Sequence, residues 1–151
     1  MTVPVTFNRL DTTASRGVSV TIQLSPNLVL CNGNPELDIA MASGAGSWLG
    51  TYSNVWTEIL DNGGGSYTID RTVIGSPCGP TNGGLLFTVN VAKAPSVTTD
   101  QIGTVSVTAV DVRDCDNASL PGIPGAAGNV SINLSIPAVL SGLTATQVKT
   151  G

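Results

Sequence analysis

Gly83-Gly84-Leu85-Leu86-Phe87-Thr88-Val89-Asn90-Val91-Ala92 is the stretch on which the reading of this chain turns. Leu85, Phe87, Val89 and Val91 alternate with Leu86, Thr88 and Asn90. Successive side chains of a strand point to opposite faces, so period two puts one set on each side of a sheet. The glycine pair in front marks a turn. The stretch is predicted to be a strand with Leu85, Phe87, Val89 and Val91 in a core and Thr88 and Asn90 turned outward.

The same pattern recurs on both sides. Val3, Val5 and Phe7 share one face of a strand over residues 2–10. Val18, Val20, Ile22 and Leu24 alternate with Ser19, Thr21 and Gln23, and Ser25-Pro26-Asn27 ends that run. Leu28-Val29-Leu30-Cys31 reads as a short buried strand, and a helical turn is expected near Glu36–Ile39. Residues 48–60 and 66–75 form a long hairpin about Asp61-Asn62-Gly63-Gly64-Gly65. Tyr67, Ile69 and Val73 share a face there, and Arg71, in the same phase, predicts a bend or an edge. In the strand over 103–112 the apolar phase slips from Val105 and Val107 to Val110 and Val112, which predicts a bulge near Ala109. Val130, Ile132, Leu134 and Ile136 form the last strand.

The composition agrees. The 151 residues suit one domain with a sizeable core, and 18 Gly and 9 Pro among many β-branched residues favour strands and turns over helices. The fold class expected is all-β, an antiparallel β-sandwich over residues 1–136. Residues 137–151 are a linker or the start of a following module: Pro137–Ala145 resembles the entry into a fibronectin type III module. Only 6 residues are basic and the net charge is −4, which argues against nucleic acid as a partner. No apolar run reaches membrane-spanning length. Low charge, abundant Thr, Ser, Asn and Gly, and three cysteines point to an extracellular module.

Candidate chemistry is sparse. The chain has no histidine, which removes Ser-His-Asp and Cys-His catalysis. Glu58 with Asp61 or Asp70 is the available carboxylate pair for glycoside hydrolysis, but these read as solvated turn carboxylates, and no enzyme is expected. Asp114, Asp116 and Asn117 offer hard oxygens of the kind Ca²⁺ takes, without EF-hand spacing; that ion is the one cofactor considered. Trp48 and Trp56 are the candidate rings for stacking on a glycan. Three cysteines allow one internal disulfide. Cys31 and Cys115 both close apolar strands and are the favoured pair; Cys78 with Cys115 is the alternative.

The order of these segments carries a resemblance. Ser19–Leu30 resembles the "F-x-L-x-Y-D-P-x-x-L-x-V" segment of cohesin modules, and Gly84–Val91 their "G-x-L-F-x-I-x-F" strand. Val110–Pro121 is similar to their "F-A-D-x-x-x-N-x-I-P" loop, and Gly128–Ile132 to their closing "N-G-x-V-x-I" strand. The resemblance implies a jelly-roll sandwich from a secreted bacterial scaffold or cell surface, binding a dockerin-like protein. It implies a partner face built from outward residues of three strands: Thr21, Gln23, Thr68, Asp70, Thr88 and Asn90. The rival readings are a structural spacer that contacts neighbouring modules and a carbohydrate-binding module.

Overall fold

The computed structural model describes residues 1–134. Its elements are β1 (Thr2–Phe7), β2 (Ser15–Leu24), β3 (Leu28–Leu30), α1 (Pro35–Asp38), β4 (Ile39–Met41), β5 (Val55–Gly63), β6 (Ser66–Val73), β7 (Gly84–Lys93), β8 (Gln101–Asp114), β9 (Ser119–Leu120) and β10 (Gly128–Ile132). They make two antiparallel sheets. The wide sheet runs β10-β8-β2-β6-β5, with β9 also on β8. The narrow one runs β1-β7-β3, and β4 follows β3 along the same side of β7. The chain crosses repeatedly between the sheets, which is the jelly-roll sandwich expected from the sequence. Among the described residues no helix is long and apolar enough to cross a membrane.

The core forms where the two central strands face each other. Val18, Val20, Ile22 and Leu24 of β2 lie buried opposite Phe87, Val89 and Val91 of β7. Tyr67, Ile69 and Val73 of β6, Val105 and Val112 of β8, and Leu28 and Leu30 of β3 extend the same layer. Each such side chain contributes about 1.5–3 kcal/mol relative to exposure. Gly103 has a packing reason: a Cβ there would lie 2.5 Å from Leu28 Cγ. The β5–β6 turn has a backbone reason, because Gly63, Gly64 and Gly65 all hold positive φ, from 61 to 80°.

Several expectations hold in detail. The β5–β6 hairpin forms, although its first arm begins at Val55 rather than at residue 48, and α1 is the helical turn, with Asn34 Oδ1 accepting from Glu36 N at 3.0 Å. On β8, Thr21 pairs with Ala109 and Ile22 with Val107, so Thr108 is the extra residue of the predicted bulge.

Others are corrected. In β7 the buried leucine is Leu86, not Leu85. The register against β1 passes from Val5↔Phe87 to Thr6↔Leu85, skipping Leu86, so the alternation shifts by one residue. Leu85 is instead held by backbone bonds to Gly46 and Trp48. Arg71 marks neither a bend nor an edge: β6 runs straight through it, paired with Val18 and Thr57 on its two sides. Its guanidinium is buried between the sheets, where Nη1 donates to Leu86 O at 2.9 Å and Ala42 O at 3.4 Å, while Nε has no partner. Burial lowers its pKa from the ordinary arginine value. β1 ends at Phe7 and β10 at Ile132; Ile136 and the proposed linker 137–151 lie outside the described residues.

The disulfide joins Cys78 to Cys115, Cα to Cα 5.5 Å apart, and Cys31 is exposed and free. The favoured Cys31–Cys115 pairing fails on distance along the sandwich. Leu28, three residues before Cys31, packs on Gly103 near the start of β8, whereas Cys115 follows its end. Those ends are roughly 40 Å apart at the rise of a strand. The β6–β7 connection, in contrast, bonds the start of β2 through Ser15 N and Pro80 O at 3.0 Å, beside the end of β8. Closing the loop between residues 37 apart in sequence stabilises the fold by about 4 kcal/mol in the chain-entropy account. A Cys78→Ser chain is expected to lose about that much in urea unfolding, whereas Cys31→Ser leaves the midpoint unchanged.

Candidate functional site

Because β2 and β6 alternate regularly, and β8 pairs with β2 on either side of its bulge, their second face is solvent-facing and polar. Register defines rows across it. Trp56 lies opposite Thr72, which leads to Gly17 and Arg113. Glu58 lies opposite Asp70, then Ser19, then Asp111. Leu60 lies opposite Thr68, then Thr21, then Ala109. Gln23 comes next, between Ser66 and Ser106. Thr21 Oγ1 and Thr68 Oγ1 share a hydrogen bond of 3.0 Å, and Asn62 Nδ2 donates to Thr68 Oγ1 at 2.9 Å. Gln23 Nε2 donates to Leu24 O and Gly64 O, both at 2.9 Å, tying the row to the hairpin turn.

The six residues expected to form one partner face therefore divide. Thr21, Gln23, Thr68 and Asp70 stand together on the wide sheet. Thr88 and Asn90 belong to β7, in the narrow sheet, and face away on the other side of the molecule. Asn90 there accepts from Thr2 Oγ1 at 2.6 Å. Alternation shows that a side chain points outward, but not from which sheet. Trp56, Glu58 and Leu60 complete the wide face; the sequence offers Trp56 as a glycan ring and Glu58 as a turn carboxylate, and Leu60 and the shared face escaped it. Their period-two spacing on the hairpin arm was the available signal.

The two tryptophans separate as well. Trp48 is 1% exposed and meets Phe7 edge-on, ring centroids 5.6 Å apart, so it cannot stack on a glycan. Trp56 is 44% exposed on the wide face. Glu58 and Asp70 are strand residues rather than turn carboxylates, directly opposite each other on an open sheet. Asp61 is the turn carboxylate, accepting from Gly63 N at 2.8 Å. Trp48→Ala is expected to cost about 3–5 kcal/mol in chemical denaturation, and Trp56→Ala less than about 1 kcal/mol.

Asp114, Asp116 and Asn117 do fall in one turn, between β8 and β9, but Asp114 is engaged in building it. Its Oδ1 accepts from Asp116 N at 2.9 Å and Ala118 N at 2.8 Å, and Asn117 takes a positive φ of 63°. Among the described residues no three Asp, Glu, Cys or His side chains group to hold a metal ion. Asp114→Ala should cost about 1–2 kcal/mol through the loss of two charge-assisted bonds. Calcium, followed by its effect on Tm, should shift the wild type by no more than the Asp114→Ala chain.

No protein-family model matches the sequence, and no curated protein does. Solved structures match in fold. The third cohesin ScaC of Acetivibrio cellulolyticus, solved with the ScaB dockerin, superposes with TM-score 0.64 at 12% identity, over 88% of each chain. The cohesin Coh-OlpC of Clostridium thermocellum, in complex with Doc435, gives 0.62 at 11% identity, over 88% of this chain and 83% of that one. The non-cellulosomal cohesin of the archaeon Archaeoglobus fulgidus gives 0.59 at 14% identity, over 87% and 78%. The chain is a cohesin-like jelly-roll β-sandwich.

Proposed function

We propose that the chain is a non-catalytic, extracellular binding module that recognises a dockerin-type protein through the outer face of β5, β6, β2 and β8. The observation that carries this reading is the face itself. Four adjacent strands present aligned rows of outward side chains, with Thr21, Gln23, Thr68 and Asp70 at the centre and Trp56 and Leu60 exposed on the rim. A flat face suits a protein surface better than a small substrate, which needs a concave site. The cohesins of similar fold solved with dockerins support the class of partner. The Cys78–Cys115 disulfide supports an oxidising location outside the cell.

A carbohydrate platform through Trp48 and Trp56 is left with one accessible ring, and a spacer role leaves the exposed Trp56 and Leu60 without a use. The test is capture of proteins secreted by the source organism on the immobilised chain. A Thr21→Arg chain, which raises a bulky side chain from the centre of the face, should lose the captured partner. An Asn90→Arg chain, altered on the opposite side, should keep it. The converse pattern overturns the assignment of the face, and capture of nothing by the wild type favours the spacer.

A further inference from the structure

The charges on the wide face are unevenly settled. Glu58 and Asp70 are directly opposite on β5 and β6, an arrangement of like charges that works against the hairpin. Among the described residues the ion pairs are Arg9 with Asp11 and Arg113 with Asp111, so neither Glu58 nor Asp70 has a cation of its own. The third carboxylate of that row, Asp111, is held by Arg113 at 2.8 Å and adds little to the field. Arg16 borders the same shallow recess as Asp70, beside Thr72, but makes no ion pair with it, and its Nε has no partner. The negative end of the face thus lies over β5 and β6, where Glu58 and Asp70 stand without an ion pair.

That negative end is bracketed by apolar surface. Trp56 and Leu60 lie two residues to either side of Glu58 on β5, and they are 44% and 43% exposed. Aromatic and aliphatic anchors around a charge pair are what a partner can desolvate, and an unpaired carboxylate couple is then costly unless the partner brings the opposite charge.

We propose that the partner contacts this corner with a cationic protein surface, placing a Lys or Arg side chain over Glu58 and Asp70 and apolar side chains on Trp56 and Leu60. The inference rests on the binding reading above and names the chemistry of what binds.

The test uses a displayed library of a small three-helix scaffold, randomised on one surface and selected on the wild-type chain. Clones that also fail on the Thr21→Arg chain bind the face. Those clones are expected to carry Lys or Arg at the selected positions and to weaken with added salt. They should lose about tenfold or more in affinity on a Glu58→Lys, Asp70→Lys chain. The isosteric Glu58→Gln, Asp70→Asn chain, which keeps side-chain shape, should show a smaller loss with the wild-type circular dichroism spectrum, and so separates charge from misfolding. Face-binding clones with neutral or acidic contact positions, or with unchanged affinity on both charge variants, overturn the cationic partner alone. Clones indifferent to Thr21→Arg overturn the face and its partner together.

Discussion

The fold depends on one packing interaction, the inner face of β2 against the inner face of β7. Val18, Val20, Ile22 and Leu24 on one side, and Phe87, Val89 and Val91 on the other, belong to the strands that both sheets are built around. β2 is flanked by β6 and β8, and β7 by β1 on one side and β3 with β4 on the other. β1, β3, β4, β6 and β8 are therefore placed by hydrogen bonding to one of these two strands, and β5, β9 and β10 in turn by bonding to β6 or β8. The outer faces carry none of this requirement, so the outward positions of β2 and β6 are free to hold Ser, Thr, Gln and Asp. Separating the two roles by alternate residues lets one strand both hold the fold and present a surface.

Arg71 shows how far the core tolerates an exception. It occupies an inward position between Ile69 and Val73, and its guanidinium is met by carbonyls rather than by a carboxylate. Leu86 O, one of those carbonyls, also accepts from Ala42 N at 3.0 Å. The bulge that turns Leu86 inward and the buried arginine thus meet at the same backbone group. A charge in this place links β6 of the wide sheet to β7 of the narrow one by direct hydrogen bonding, among mostly apolar neighbours.

The fold was legible in the sequence wherever burial acts at period two within one strand. The runs of β2, β7 and the hairpin announced themselves in this way, and the slip between Val107 and Val110 revealed the Thr108 bulge. Legibility failed where the outcome depends on a neighbour. The bulge at Leu86 is an affair of β7 with β1, and both leucines are apolar, so neither phase stands out. Arg71 reads in the sequence as a bend or an edge because its compensation comes from another sheet. Thr88 and Asn90 have the same pattern as Thr21 and Thr68, and only the crossing of the chain between sheets puts them on opposite sides. The cysteine pairing hinged on the path of the loop after β6, which no periodicity describes.

The Cys78–Cys115 clasp has a mechanical consequence. It spans the whole of β7 and β8, including the central strand of the narrow sheet. If the chain is pulled from its two ends, the residues inside the clasp are bypassed, and force runs from Cys78 to Cys115 through the sulfur bridge. The stretch from Cys78 to Cys115, a separation of 37 positions that would otherwise add about 120–130 Å of extended length, stays out of the load path. The strand most responsible for the core is thereby shielded from tension, and only the segments outside the clasp, β1–β6 and β9–β10, can be drawn out.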